Sequence, residues 1–382
     1  EDIAPAVHAL LGPVSVVVGH DEEQAHAVAE LLAPGLGGAL GGFQLRAGVP
    51  ITEYISLALR YTLNFDDVTL DKDTYYTNGV CDPLLAGRYL CDAIGKRTTS
   101  SVGYSLIFDT RDNRIRATRG RNIVLSQDFA GVGGDVRYVK TRISASQYVP
   151  LGSGFIFSLS GEGGYIHSLE GERRDASGQL VDKVRLVDRW FLGEPQIRGF
   201  DIRGVGPRVK RYYLTDSDGD GVYTRTNSNN NVSDDALGGR VYYLARAEVE
   251  IPLGSGAREM GLRPSVFVDA GAVAGLKNPG TINFAGYCTV SPQDGVTGSS
   301  STVRAPSVGN CDTPAAGYTA TYTGGGFEEV YLGDTLKPRV SVGFGVNWNS
   351  PFGPFRIDIA KALLKEPGDD NKLITFNVGT QF

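Results

Sequence analysis

No run of 18 apolar residues occurs in the chain, so no segment is expected to cross a membrane as a helix. Histidine is scarce. Three of the four, His8, His20 and His26, fall in the first 41 residues, and His167 stands alone in the rest. No Gly-x-Ser-x-Gly elbow accompanies it, so no Ser-His-Asp constellation is expected. The chain is read as no enzyme and as having no cofactor. An excess of positive charge is also missing. The net charge of -6 argues against nucleic acid as the main partner. Methionine occurs once, at Met260, and the first residue is Glu1, so a fragment or a processed product is expected, with no visible secretory signal.

Cysteine is also sparse. The four cysteines show no Cys-x-x-Cys spacing and have no His beside them, so zinc is not expected. They form two close pairs, Cys81/Cys91 and Cys288/Cys311, each inside one predicted loop. Two loop-local disulfides in an oxidising compartment are the expectation, with free thiols as the alternative.

What the chain has in quantity is glycine, 51 residues, with 18 Tyr and 16 Phe. Residues 1–41 stand apart: they hold none of the Tyr and are rich in Ala, Gly and Leu. Within them Asp21 to Ala33 reads as a short helix, capped by Asp21 and stopped by Pro34-Gly35. Val14 to Val18 reads as one strand. The segment is expected to be foreign to the rest of the chain, from a frameshifted or misassembled reading frame.

From Gly42 onward, Tyr, Phe, Val and Ile alternate with Ser, Arg, Asn and Gln. The runs are 42–50, 53–66, 98–110, 119–131, 135–149, 154–167, 239–252, 262–275, 339–350, 354–364 and 373–382. Most exceed the usual strand length of about 5–6 residues. The last is the cleanest. Ile374, Phe376, Val378, Thr380 and Phe382 share one face, and Leu373, Thr375, Asn377, Gly379 and Gln381 share the other. A soluble sandwich and a membrane barrel both produce that alternation. Connection lengths separate them. Short turns (49–53, 111–119, 150–154, 252–261, 350–354) alternate with connections that include three very long ones, 67–97, 168–238 and 276–338. Short turns on one rim and long loops on the other are the up-and-down membrane barrel pattern. The fold class is therefore all-β, an antiparallel transmembrane β-barrel of the outer-membrane type. About eleven strands are an odd number for such a barrel, so at least one strand is expected upstream.

The longest break carries Ile197-Arg198-Gly199-Phe200. Gly permits a turn that other residues resist, Arg offers a fork of donors and Phe an apolar anchor. Other short motifs occur along the chain: Val49-Pro50-Ile51-Thr52-Glu53-Tyr54, Asp109-Thr110-Arg111-Asp112-Asn113, Tyr148-Val149-Pro150-Leu151, Phe267-Val268-Asp269-Ala270-Gly271, Ser350-Pro351-Phe352-Gly353-Pro354, and the terminal Phe376 to Phe382. By their order and spacing the chain resembles the C-terminal part of the barrel of the BamA family of outer-membrane protein assembly factors, in the POTRA-barrel surface antigen superfamily. The resemblance implies an incomplete barrel, about eleven of sixteen strands over residues 42–382, whose long loop 168–238 folds inward. It implies that Arg198 is a loop-lock arginine, that Asp269 is its carboxylate on the barrel wall, and that Glu248 is the second. It makes the last strand, with Phe376, Val378, Gly379 and Phe382, a barrel recognition signal. The implied function is insertion and assembly of β-barrel proteins in the outer membrane of a Gram-negative bacterium. The implied partners are unfolded outer-membrane proteins, accessory assembly lipoproteins and the lipid bilayer. A two-partner-secretion-type polypeptide transporter and a passive porin with a plug loop are the alternatives.

One further motif stands outside the resemblance. Asp216, Asp218 and Asp220 alternate before Gly221 like the start of a calcium loop. The twelfth position is Asn227 where such loops carry Glu, so a solvated acidic loop is the plainer reading.

Overall fold

The structure, a computed structural model, describes residues 15–19, 36–114, 116–175, 178–226, 232–254, 261–350 and 353–378. Its frame is one twelve-stranded sheet in which spatial order is the same as chain order. The strands are β1 (Ser15–Gly19), β2 (Leu36–Pro50), β3 (Ile55–Leu70), β4 (Gly95–Asp109), β5 (Gly120–Gly134) and β6 (Tyr138–Gly152). They continue as β7 (Phe155–Ser168), β8 (Val241–Glu250), β9 (Leu262–Ala274), β10 (Arg339–Ser350), β11 (Gly353–Leu364) and β12 (Ile374–Val378). Every neighbouring pair is antiparallel, and β1 and β12 are not paired with each other among the described residues. No described helix is long and apolar enough to cross a membrane.

The two-residue period gives the sheet two unlike faces. On β9, Val266 and Val268 are 44% and 45% exposed, whereas Phe267 and Asp269 between them are 2% and 0% exposed. On β11, Ile357 and Ile359 stand outward while Arg356 and Asp358 are buried. An apolar outer band over a polar inner face is the membrane-barrel arrangement, the reverse of a soluble sheet with an apolar core.

Each of the eleven expected runs holds a strand, and the sheet adds a twelfth. β1 pairs with the middle of β2, Ser15 opposite Arg46 and Gly19 opposite Gly42. β2 itself begins at Leu36 rather than at Gly42 and pairs along nearly all of β3, from Pro50 opposite Ser56 to Leu36 opposite Leu70. Leu36-Gly37-Gly38-Ala39-Leu40-Gly41 has too few side chains to show alternation, yet a backbone ladder needs none. The expected helix over 21–33 lies outside the described residues.

Beyond one rim the connections are short: 51–54, 110–119, 153–154 and 251–261. Beyond the other they form a second layer with its own structure, where the sequence reading had only loops. Residues 208–215 of the longest loop pair with 327–332 of the next one and with 232–236. Residues 287–292, 301–304 and 318–324 form a three-stranded sheet. Short helices over 83–86 and 88–93 pack Ala86, Leu90 and Ala93 against Val68, Leu70 and Leu186. Disulfides join Cys81 to Cys91 and Cys288 to Cys311, both in this layer.

Candidate functional site

The connection from β7 to β8 does not stay at the rim. Its Ile197-Arg198-Gly199-Phe200 tip lies against the inner face of the sheet, with Ile197 and Phe200 at 0% exposure. They pack with Leu192, Val205, Tyr242, Leu244 and Val273 in one apolar cluster. Gly199 has φ +86°, and a Cβ there would come within 3.0 Å of Ser341 Cβ and 3.2 Å of Ala360 Cβ. Conformation and clearance both demand glycine, because the backbone itself touches the wall. The connection from β11 to β12 holds the tip from the other side. Lys372 N donates to Gly199 O (3.2 Å), Asp201 N to Asp370 O (3.0 Å), and Lys372 Nζ to Glu194 Oε2 (2.9 Å).

Arg198 is 4% exposed and meets two carboxylates. Its Nε and Nη2 donate to Asp269 Oδ2 and Oδ1 at 2.7 and 2.6 Å, its backbone N donates to Oδ2 at 3.0 Å, and its Nη1 donates to Glu248 Oε2 at 2.8 Å. Its Cζ lies 3.4 Å from the centroid of the Phe267 ring, adding a cation–π contact. Burial alone would weaken the guanidinium's hold on its proton. The hydrogen bonds and charge of Asp269, then of Glu248, outweigh that, so the proton is held more tightly than in free arginine. A paired, bidentate charge is the form in which a buried arginine is tolerated.

The wall contributes more than the two expected carboxylates. Glu248 Oε1 also accepts from Arg356 Nη2 (3.2 Å), and Arg356 Nε donates to Asp358 Oδ2 (2.8 Å). Asp358 Oδ1 lies 3.9 Å from Arg198 Nη1. Arg246, opposite Asp269 in register, donates its Nε to Gln196 O (2.8 Å) and its Nη2 to Pro195 O (2.9 Å), gripping the loop just before the motif. Three arginines thus face three carboxylates on four elements. The sequence reading missed Arg246, Arg356 and Asp358. Their signal was present: in Phe355-Arg356-Ile357-Asp358-Ile359 opposite charges alternate with apolar residues, which places both on the inner face. A second buried pair, Arg339 Nε to Asp369 Oδ2 at 2.9 Å, ties β10 to the β11–β12 connection at 0% side-chain exposure.

In β12, Phe376 and Val378 are 58% and 57% exposed on the outer face, and Phe376 stacks on Phe355 at 5.9 Å. Gly379 and Phe382 lie outside the described residues. Asp216, Asp218 and Asp220 offer oxygens within 4.8 Å of one another. The Asp216 carboxylate already accepts from the amides of Gly219 (2.8 Å) and Gly221 (3.1 Å), and Asn227 lies outside the described residues.

The chain is similar in sequence and in fold to known proteins. The chain is 28% identical over 330 residues to the outer membrane protein assembly factor BamA of Neorickettsia risticii, covering 86% of this chain and 32% of that one. It is 30% identical over 122 residues to the sorting and assembly machinery component 50 homolog of Mus musculus, covering 31% of this chain and 24% of that one. Its fold is similar to that of BamA from Haemophilus ducreyi lacking POTRA domains 1-3. There the TM-score is 0.54 at 18% identity, over 89% of this chain and 54% of that one. The chain spans about a third of the length of the curated BamA it matches. The Omp85 superfamily domain matches residues 39–382, a stretch that includes the loop tip, its carboxylates and all but the first and the beginning of the second strand of the sheet, and the chain belongs to that superfamily.

Proposed function

We propose that this chain is the barrel part of a factor that inserts and folds other β-barrel proteins in the outer membrane of a Gram-negative bacterium. The observation that carries the reading is the attachment of the loop tip to the wall by Arg198, Asp269 and Glu248. A porin could use the same attachment to hold a plug, so the loop is read together with the edge of the sheet. An assembly machine must hold its wall in shape while its edge is exposed. The edge is proposed to lie at β12, which pairs with β11 through only five residue pairs. An unpaired edge is a template for another strand. Unsatisfied backbone groups are costly in lipid, so pairing a client strand as it enters lowers the barrier to insertion. The reaction needs no covalent chemistry. The proposed clients are unfolded outer-membrane proteins, and accessory lipoproteins are the proposed helpers of assembly in the cell.

The loop-lock residues then act as positioning residues. Asp269 and Glu248 hold the tip, and Gly199 and Phe200 seat it between β10, β11 and the β11–β12 connection. Liposomes containing the chain, mixed with a urea-unfolded client barrel, test the reading. Client folding should run faster than in empty liposomes, with no steady single-channel conductance. Folding no faster than in empty liposomes, together with a stable conductance, would favour a porin.

A further inference from the structure

We propose that the short turn between β4 and β5 docks anionic phospholipid headgroups of the leaflet on the short-turn side. Residues 109–121 hold five arginines, at 111, 114, 116, 119 and 121, against two aspartates, a net +3 in a chain of net charge -6. Both aspartates are occupied by the turn itself. Asp109 pairs with Arg111, Nη2 to Oδ2 at 2.8 Å. Asp112 accepts from the amides of Asn113 (3.0 Å), Thr118 (2.9 Å) and Arg119 (3.1 Å) and from Thr118 Oγ1 (2.5 Å). Arg114, Arg116, Arg119 and Arg121 are exposed, and among the described residues no carboxylate bridges them.

An uncompensated cluster of this kind can be a merely solvated surface, so its position decides. Arg121 shares the outward face of β5 with Ile123, which is 37% exposed and pairs in register with Phe108. The Arg121 guanidinium carbon lies 5.9 Å from the Phe108 ring centroid. On the same rim the exposed apolar residues Tyr54, Leu151 and Phe155 continue the lipid-facing band. Aromatic residues at the end of a lipid-facing band lie at headgroup depth. An arginine whose stem rests on such a band places its charge among the phosphates. The guanidinium fork matches a phosphate with paired N–H donors. The turn is held in place for this: Thr110 N donates to Arg121 O (2.9 Å) and Asp112 N to Arg119 O (3.1 Å). Arg116 lines the lumen mouth with Tyr148 and Arg263, which leaves the exposed Arg114, Arg119 and Arg121 as the cations assigned to lipid, Arg121 by its place on the band. An acidic protein segment would be attracted by the same charge. Continuity with the apolar band favours lipid.

Native mass spectrometry of the chain, in micelles with equal phosphatidylglycerol and phosphatidylcholine, reads the preference directly. The expected result is at least about fivefold more bound phosphatidylglycerol, since each arginine near an anionic surface contributes about that factor. Triple substitution Arg114→Gln, Arg119→Gln, Arg121→Gln should bring the ratio close to one. Arg121→Lys should keep most of the preference and Arg121→Gln lose part of it, which decides the matter if the triple variant does not fold. Inorganic phosphate at lipid concentration should not displace phosphatidylglycerol. An equal lipid ratio in the unsubstituted chain, an unchanged ratio in the variants, or displacement by phosphate would overturn the assignment. So would a Glu-rich peptide that binds in place of phosphatidylglycerol.

Discussion

Arg198 gives the Asp269 carboxylate three hydrogen bonds, two from the guanidinium at 2.7 and 2.6 Å and one from its own backbone amide at 3.0 Å. The amide bond distinguishes this contact from an ordinary ion pair, because it ties loop backbone, and not only a side chain, to β9. Asp269 is 0% exposed, so its charge has no water to fall back on.

Substitution Arg198→Ala in a full-length parent should therefore free the tip. Removing one member of a buried ion pair costs about 3–5 kcal/mol, because the other charge stays buried. The β7–β8 loop should become sensitive to protease from the long-loop side. The exchange Arg198→Asp with Asp269→Arg should restore only part of the protection, since an arginine at 269 cannot accept from the amide of residue 198. Full restoration would show that the amide bond is idle.

Gly199→Ala tests the close approach separately from charge. Alanine at φ +86° costs roughly 1 kcal/mol or more, and its Cβ would press on Ser341 and Ala360. Loop protection should fall with every charge intact. Adding Ala360→Gly should relieve one of the two contacts but neither the nearer one at Ser341 nor the backbone strain, so recovery should again be partial. An unchanged digestion rate for Gly199→Ala would mean that the tip sits elsewhere.

Reduction should act on the outer layer and spare the sheet. The Cys81–Cys91 and Cys288–Cys311 bridges close loops spanning 10 and 23 residues, where each is worth roughly 3 kcal/mol. Peptide mapping without reductant should recover these two linkages. After reduction, hydrogen exchange should rise across 72–94 and 287–324 while β3 to β11 stay protected. Faster exchange in the sheet would contradict a separate outer layer.

Asp188 supplies a pH test in the β7–β8 loop. Burial raises its carboxyl to about 6, partly opposed by Lys140. Its folded value lies above the ordinary carboxylate value, so below about pH 4 both states are protonated and it contributes nothing. Between about pH 4 and 6 the unfolded loop ionises first and local stability declines, and above that range it levels off. Isotope-edited carboxyl NMR should show Asp188 titrating near 6, and Asp188→Asn should flatten the decline. A titration near the ordinary carboxylate value of about 4 would contradict the burial.

Much of this was legible in the sequence. The strands announced themselves wherever side chains alternated, as in Val266-Phe267-Val268-Asp269, and the same alternation placed Asp269 inward. The Gly-rich start of β2 was silent because glycine leaves no pattern. Strand 318–324 did alternate, as Tyr-Thr-Ala-Thr-Tyr-Thr, but lay inside a connection already read as loop. Of the site, Arg198, Asp269 and Glu248 came with a family resemblance, not from spacing. Arg339 and Asp369 could not be paired from sequence, since only the fold brings the start of β10 to the β11–β12 connection.

The most direct test of the whole account is client folding by the full-length parent carrying Arg198→Ala, Asp269→Ala or both. If the loop lock serves assembly, each single substitution should slow client folding, and the double variant should be no slower than the worse single, because both remove one shared contact. Client folding at the unsubstituted rate in either single variant, or a double variant slowed by the product of the two effects, would contradict it.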